Sequence, residues 1–301
     1  MTLADIGEDQ VVQRLIARLG RCHEDVLVGP GDDCAVIGRP RDKHWSLLKT
    51  DCVIESVHFT PGEKPALIGW KALCRAISDI AAMGGQPAHA LITIAARRDE
   101  TVSRLDGIYR GLRKAADRFG AAIVGGETAR SPGPLFINVA LTGTVERTRC
   151  ILRSGGQPGD ALYVTGRLGG SLGGKHLRFT PRLAEARWLT SHFRLHALMD
   201  LSDGLAADLP RLARASGCDF ALEQSRVPRT RGCTVEQALG DGEDYELLFA
   251  LPARDVTRLE ARWRTKFPRL PLTRIATLKR LAASTILQPT SLRGFDHFAQ
   301  S

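Results

Sequence analysis

Several features that would assign a function directly are missing from this 301-residue sequence or are scarce in it. None of the seven cysteines stands in C-x-x-C spacing, so we expect reduced cysteines in a cytoplasmic protein, without a zinc or disulfide framework. No apolar run approaches the ~20 residues of a membrane helix. The N-terminal MTLADIGEDQ also lacks the basic and apolar regions of a secretory signal. Aromatic residues make up only 6%, so we expect no nucleic-acid surface despite a net charge of +9, and no membrane partner.

What the sequence does contain is a series of short acidic segments, each with a carboxylate beside Gly, Ser or Thr where a predicted strand or helix ends. Carboxylates are depleted from strands and are rarely buried unless they are paired or bound to a metal. The pattern therefore predicts several hard cations, and with them phosphate chemistry. The segments are GDDCAV (31–36), TDCVIESVHF (50–59), SDIAAMGG (78–85), GGET (125–128), DLSDGL (200–205) and DGEDYELLF (241–249).

Taken singly, most of these segments have an ordinary structural explanation. Asp32 and Asp33 fit a solvated Gly-Pro turn, and Ser202 or Asp203 fits the N-cap of a helix. Asp79 is harder to explain, because it lies in the last turn of an apolar helix, where the helix dipole disfavours a carboxylate. A bound cation is the simplest way to offset this unfavourable interaction between Asp79 and the helix dipole. Three acids of DGEDYELLF (Asp241, Glu243 and Asp244) precede an apolar strand, which is costly unless they face a ligand.

A glycine-rich segment, GGSLGGK (169–175), has the G-x-x-x-x-G-K spacing of a phosphate-binding P-loop. A P-loop continues with Ser or Thr, whose hydroxyl binds magnesium, but His176 follows here. We interpret this segment as a strand-to-helix turn.

The order of predicted elements indicates the architecture. Helical spacing of apolar residues predicts a first helix over residues 8–19 and another over residues 66–83, whose apolar stripe is followed by Gly84-Gly85 as a left-handed C-terminal cap. Two strands precede this second helix (WSLLKTD, with Asp51 at its end, and VIESVHF), and a strand, a helix and two strands follow it. This order indicates helices on one face of a mixed sheet. RSGGQPGD (153–160) indicates a hinge before a second mixture of helices and strands. We predict an α/β (α+β) protein of two mixed-sheet domains, residues 1–148 and 149–301.

Together, and in this order, GDDCAV, TD…E.VHF, GWKAL…SDIAAMGG, GG.T.RSP and SDGL…DGEDYELLF resemble the thiamine-monophosphate kinases. This family shares a superfamily with aminoimidazole ribonucleotide synthetase, selenophosphate synthetase and the hydrogenase-maturation carbamoyl dehydratase. The resemblance runs from about Gly7 to RGFDHF (293–298). It implies an N-terminal domain that binds ATP and Mg²⁺ and forms a homodimer, and a C-terminal domain that covers the active site.

The resemblance further implies direct transfer of the ATP γ-phosphoryl group to thiamine monophosphate, with several Mg²⁺ ions and no side-chain nucleophile. The residues that it implies as magnesium ligands are Asp33, Thr50, Asp51, Asp79, Glu127, Asp200 and Asp203. Those implied at ATP are Gly126, Glu127, Arg153 and Ser202, and those implied at the thiamine are His58, Glu243 and Phe295.

The sequence departs from the family pattern at several of these positions. Lys49 stands where a hydroxyl residue usually precedes the Thr-Asp pair, and its ammonium would displace a ligand of one cation or substitute for that cation. Glu127 replaces the usual Asp, Ser56 a Gly, and Arg75 a smaller residue. Two alternatives therefore stay open: a relative that acts on another small acceptor, and a non-catalytic nucleotide-binding homologue disabled by Lys49 and Glu127.

Overall fold

The computed structural model describes residues 2–281, which form two β-sheets and the helices packed on them. In chain order the elements are α1 (Leu3–Ile16), β1 (Val26–Val28), β2 (Ala35–Ile37), β3 (His44–Ile54), α2 (Pro65–Ala82), β4 (Gln86–Ala96), α3 (Val102–Phe119), β5 (Ala122–Arg130), β6 (Phe136–Glu146), β7 (Ala161–Thr165), α4 (Leu183–His192), β8 (Ala197–Asp200), α5 (Leu205–Ala215), β9 (Cys218–Leu222), α6 (Val235–Gly240), β10 (Leu247–Leu251), α7 (Val256–Lys266) and β11 (Leu272–Arg280).

The first sheet has the strand order β1-β2-β3-β6-β4-β5. Its neighbours are antiparallel except β4 and β5, which are parallel and joined by the crossover helix α3. Helices α2 and α3 pack on one face of this sheet, where alternate strand residues such as Leu47, Ile92 and Val139 are fully buried. The prediction of helices on one face of a mixed sheet is confirmed.

Helix α2 is the element that connects the two halves. Fourteen of its 18 residues are buried, from Ile68 to Ala82, because the first sheet, α3 and the second half surround it. Ala81, near its end, packs in an apolar cluster with side chains of the second sheet, α4 and α7. Gly84, with φ 70°, ends the helix in the left-handed conformation that the sequence predicts.

The second sheet has the order β8-β10-β7-β11-β9, and all its strand pairs are antiparallel. The prediction of a second mixed sheet is therefore wrong in this detail, although the α/β class with two sheets is confirmed. Consecutive strands are never neighbours here, so none of the connecting helices joins an adjacent parallel pair. Apolar clusters cover both faces, so β7, β8 and β10 are buried throughout.

Three local details refine the sequence analysis. The first helix begins at Leu3 instead of Glu8 and bends at Gly7, whose φ is 71°. Asp51 lies inside the single long strand β3, where two strands were predicted. All seven cysteines are free thiols. None of the helices within residues 2–281 has the length and hydropathy needed to span a bilayer.

Candidate active site

Three acidic side chains from separate segments meet beside the C-terminal half of α2. Asp33 follows the turn at Gly31, Asp79 lies in the last turn of α2, and Asp200 ends β8. All three are buried, and one carboxylate oxygen of each lies within 4.8 Å of the others. No other group of three acidic, histidine or cysteine side chains among the described residues is close enough to share a metal ion. We call these residues the aspartate cluster.

The aspartate cluster carries more negative charge than its neighbours satisfy. Oδ2 of Asp33 is buried and has no hydrogen-bond partner in the described part of the chain. Asp200 accepts a hydrogen bond from Ser78 Oγ at 2.6 Å, yet burial and the charge of Asp33 raise its pKa to about 7. Burial also raises the pKa of Asp79 well above its ordinary value, and Lys49 opposes this only in part. A bound cation would relieve this repulsion.

Two members of the cluster contact basic side chains. Nη2 of Arg153 donates to Asp33 Oδ1 at 2.5 Å, and Nζ of Lys49 lies 2.9 Å from Asp79 Oδ1. Burial favours the neutral form of each base, but the neighbouring carboxylates more than offset it and keep the pKa of Lys49 and of Arg153 above its ordinary value. Both bases are therefore cations, and they mark positions where the cluster stabilises positive charge.

Two further candidate ligands also form ion pairs. Asp51 lies on the same strand as Lys49 and accepts hydrogen bonds or contacts from Nε and Nη2 of Arg75, each at 3.1 Å. Asp203 pairs with Arg211, which also contacts Asp208. The N-cap of α5 is Gly204, without a side-chain cap, so neither Asp203 nor its neighbour serves as the cap. The capping explanation of this segment is therefore wrong.

An open cleft of about 1150 Å³ lies between α1, the Gly31 turn and α5. Lys49 and Arg153 reach it from the side of the aspartate cluster, and Ser202 and Asp203 reach it from the turn before α5. The cleft is slightly larger than most small-molecule sites. It brings together residues predicted at ATP and at magnesium.

Two of the three residues predicted at the thiamine are joined by the buried Lys71. Its Nζ donates to the carbonyl of His58 at 2.5 Å and to Glu243 Oε2 at 2.6 Å. Burial lowers the pKa of Lys71 to about 8, and Glu243 limits that shift. The ring Nδ1 of His58 accepts from the N–H of Ile54 at 3.1 Å, so a neutral ring carries its proton on Nε2. Phe295 lies outside the described residues.

Thr50 does not join the aspartate cluster through its side chain. Its hydroxyl donates to Asn138 Oδ1 at 3.0 Å. Because side chains alternate along a strand, Thr50 points to the exposed face of the first sheet, opposite Lys49 and Asp51.

Gly126 and Glu127 are also separated from the cluster within one chain. They lie on the edge strand β5, and both are exposed. The strand register aligns Asp51 with Val139, Val139 with Ile92, and Ile92 with Gly126. Three strand spacings place Gly126 roughly 14 Å from Asp51.

The acids of DGEDYELLF face protein donors, which corrects the expectation that they need a ligand. Asp241 accepts from the N–H of Gly170 at 2.7 Å. Asp244 accepts from the N–H of Gly169 at 3.1 Å and from Lys175 Nζ at 3.0 Å. The amides that would hold phosphate in a P-loop therefore bind the protein's own carboxylates, in agreement with our interpretation of GGSLGGK as a turn.

Glu246 is satisfied in the same way. Its two oxygens accept from Nη2 and Nε of Arg182, both at 2.6 Å, and the second also accepts from Thr165 Oγ1 at 2.8 Å. We call Asp241, Asp244 and Glu246 the loop acids.

Lys71 and Ser78 were not predicted as functional residues from the sequence. Together with Arg75 and Asp79 they form a polar stripe along the otherwise apolar α2. Their spacing of four, three and one residues places them on one helical face, and this was a readable signal.

The donors of the aspartate cluster fit a hard divalent cation such as Mg²⁺. Such ions prefer carboxylate oxygens, and Mg²⁺ usually takes one or two carboxylates together with phosphate oxygens of a substrate. The cluster provides three carboxylates, one with the unpartnered oxygen of Asp33, beside an open cleft.

Comparison with known proteins shows which family this chain is similar to. The family described as AIR synthase related protein, N-terminal domain, matches residues 31–145. The thiamine-monophosphate kinase of Rhodopirellula baltica is 36% identical over 78% of this chain and 79% of that protein. The Escherichia coli K12 thiamine-monophosphate kinase is 31% identical over 97% and 98% of the two chains.

Solved structures show the same relationship. A structure described as AaThiL complexed with AMPPCP and TMP has a TM-score of 0.81 and 29% identity, and covers 99% of both chains. A thiamine-monophosphate kinase from Aquifex aeolicus has a TM-score of 0.74 over 93% of this chain and 96% of that one, at 29% identity. A HypE–HypF complex, at 17% identity and a TM-score of 0.72, shares the fold. The chain belongs to the thiamine-monophosphate kinase family.

Proposed function

We propose that this protein transfers the γ-phosphoryl group of ATP directly to the phosphate of thiamine monophosphate, giving thiamine diphosphate and ADP with the assistance of Mg²⁺. The observation that carries this proposal is the aspartate cluster, with its unpartnered buried oxygen, beside a cleft of nucleotide size. The names of the relatives and the AMPPCP and TMP complex of AaThiL support the choice of both substrates.

In this proposal the cleft receives the nucleotide. Arg153 and Ser202 supply a guanidinium and a hydroxyl to it, and both are suited to phosphate oxygens. Asp33, Asp79 and Asp200 hold the Mg²⁺ ions, with Asp51 and Asp203 as additional ligands. Since Asp33 is paired with Arg153 in the structure described here, binding of Mg²⁺ would free Arg153 for the phosphates.

The chemistry needs charge neutralisation and alignment more than a side-chain base. Mg²⁺ would supply counter-charge for two phosphorylated molecules that otherwise repel each other. An acceptor phosphate is already anionic near neutral pH, so it attacks without deprotonation, in line with the leaving ADP. The role of the chain is then to hold the two substrates in that alignment.

For the acceptor we propose the surroundings of His58 and Glu243, with Phe295 as a third contact. Lys71 fixes the first two residues relative to each other. Glu243 already has a cationic partner, so its charge is shared between Lys71 and any thiamine ring cation.

We further propose a homodimer in which a second copy supplies Gly126 and Glu127. Exposed apolar side chains, Leu48, Leu91 and Val124, lie on β3, β4 and β5 of the first sheet. This face and the β5 edge are suited to a second copy. Within one chain, Gly126 lies ~14 Å from Asp51. This distance is a further reason to propose that Glu127 comes from the second copy.

Mixed dimers test that arrangement. Asp79→Asn and Glu127→Ala chains are each expected to be inactive alone. If a site uses Asp79 of one copy and Glu127 of the other, their heterodimer contains one intact site and regains activity. No recovery in a mixture shown to exchange subunits would refute the shared site.

The activity itself is tested with the full purified chain, ATP, Mg²⁺ and thiamine monophosphate. We expect one ADP for each thiamine diphosphate formed, and inversion at a γ-phosphorus made chiral with oxygen isotopes. ADP that appears only with another acceptor would favour a relative of different specificity. Nucleotide binding without turnover would favour the non-catalytic homologue.

Two other expectations remain part of this proposal. We propose that the chain divides into an N-terminal domain (1–148) and a C-terminal domain (149–301), which limited proteolysis of the intact chain would test. We also keep the cytoplasmic location expected from the free cysteines, which cell fractionation would test.

A further inference from the structure

Lys49 occupies an unusual position for a lysine. It lies in the middle of β3, and its side chain points to the inner face of the first sheet together with Leu47 and Asp51. Its side chain is 23% exposed, and its Nζ lies 2.9 Å from Asp79 Oδ1. The ammonium is therefore held within the acidic site and does not extend into bulk solvent.

Lys49 also separates the aspartate cluster from the cleft. It lines the cleft with Gly31 and Arg153, whereas the three aspartates do not reach the cleft surface. A cation that links buried carboxylates to nucleotide phosphates must lie between the two. The ammonium of Lys49 lies there.

The charge count fits the same interpretation. In the proposed function Arg153 turns from Asp33 to the nucleotide phosphates, which leaves Lys49 as the base in contact with the cluster. When ionised, the three carboxylates then carry a charge of −3, and the lysine reduces it to −2, which one divalent ion neutralises. A chain with an uncharged residue at position 49 would need positive charge from a second ion.

We propose that the ammonium of Lys49 takes the place of one divalent cation in this site, so that the chain binds one ion fewer than the same chain without the lysine. This inference rests on the proposed function for the identity of the nucleotide. The competing interpretation is that Lys49 is only a structural partner of Asp79, displaced when metal binds.

Counting bound Mn²⁺ distinguishes the proposal from the competing interpretation. Electron paramagnetic resonance of free Mn²⁺ would be used to titrate the full chain with saturating AMPPCP. We expect Lys49→Ser to bind one more Mn²⁺ per chain than the unmodified protein, and Lys49→Arg to bind the same number as the unmodified protein. Lys43→Ser, a change at an exposed lysine just before β3, is the matched control and should leave the count unchanged. Equal counts for Lys49→Ser and the unmodified protein would overturn the proposal.

A second measurement needs no variant and so does not depend on Lys49→Ser folding. Crystals of the unmodified protein with Mn²⁺ and AMPPCP should show, by anomalous scattering, Mn²⁺ at the cluster while Lys49 Nζ stays against Asp79. An ion bound to Asp79 Oδ1 with the lysine turned away would overturn the inference. Neither result depends on turnover: a protein that makes no thiamine diphosphate can still show the difference of one ion, and an active kinase can fail to show it.

Discussion

Two groups of acids in this molecule lie in similar acidic segments of the sequence but have different surroundings. The loop acids lie in the turn before β10, and each carboxylate binds backbone amides, a lysine or an arginine of its own half. The aspartate cluster gathers one carboxylate from each of three distant segments, and one oxygen has no partner among residues 2–281. The loop acids already have their hydrogen-bond partners within the protein, whereas the aspartate cluster still needs a ligand.

The difference shows that an acidic motif indicates a cation only when its carboxylates lack donors of their own. DGEDYELLF and GDDCAV looked equally acidic in the sequence. Glycine amides and basic side chains donate hydrogen bonds to most carboxylates of DGEDYELLF. In GDDCAV, Asp33 keeps a buried oxygen that has no partner among the described residues. A buried polar atom without a partner is costly unless a ligand supplies one.

The strongest test of this comparison is Asp79→Asn. The substitution keeps the shape of the side chain but removes a carboxylate from the cluster, so we expect kcat/KM for thiamine diphosphate formation to fall at least ~100-fold. Steady-state kinetics over a range of Mg²⁺ concentrations measures this. Circular dichroism should show an intact fold. Unchanged turnover would show that Asp79 is not a ligand of the proposed Mg²⁺.

Glu246→Gln is the matched change in the loop acids. Glu246 is as buried as the cluster residues and is also paired with a cation, Arg182. Loss of that ion pair should lower the free energy of unfolding by about 2 kcal/mol, because a partly buried guanidinium loses its carboxylate. We expect activity and the Mg²⁺ requirement to stay within about twofold of the unmodified protein. Urea unfolding and kinetics measure both, and a raised Mg²⁺ requirement would break the distinction between the two groups.

Ser78→Ala probes the orientation of a cluster member. Ser78 Oγ is 2.6 Å from Asp200 Oδ2, and without it the carboxylate loses the donor that fixes its position. Loss of such a supporting bond typically weakens metal binding ~10-fold, so we expect a higher half-saturating Mg²⁺ concentration with little change in kcat at saturating metal. Equal losses at all Mg²⁺ concentrations would indicate a merely structural role.

The fold was predictable where periodicity and turn chemistry agree. The apolar stripe and the Gly84-Gly85 end of α2 located that helix to within one residue, and the order of elements predicted the first sheet. The second sheet was not predictable as antiparallel, because nothing local in the sequence indicates which strands become neighbours. The continuation of β3 through Asp51 was also missed, because an acid was expected to end a strand.

The chemistry of the site was predictable from the sequence, but the hydrogen-bond and ion-pair partners of its acids were not. Acids beside glycines indicated cations, and Asp33, Asp79 and Asp200 do converge. What the sequence could not show is which acids find donors within the chain, since these partners are distant in sequence: Arg182 lies 64 positions before Glu246, and Thr165 lies 81 positions before it. The polar stripe of α2, by contrast, follows helical spacing, so Lys71 is predictable from the sequence as part of it.

Glu146→Gln extends the comparison to an acid that is exposed in part. The two oxygens of Glu146, at the end of β6, bind Nη1 and Nη2 of Arg187 in α4 at 2.5 and 2.7 Å. These hydrogen bonds lower the pKa of Glu146 from 4.5 to about 2. Because the folded-state pKa is lowered, the stabilisation is present above pH 4.5 and is lost as the pH falls towards 2.

We therefore expect Glu146→Gln to lower the free energy of unfolding by about 1 kcal/mol at pH 7, a value reduced by solvent screening. The difference from the unmodified protein should shrink below pH 4.5 and disappear near pH 2. Urea midpoints at pH 7, 4 and 3 measure this, and the Mg²⁺ requirement at pH 7 should not change. A difference in the free energy of unfolding that persists at low pH would show that Glu146 contributes through packing instead of charge. An altered Mg²⁺ requirement would show that a fully partnered acid can still act on the metal site, against the rule drawn from the loop acids.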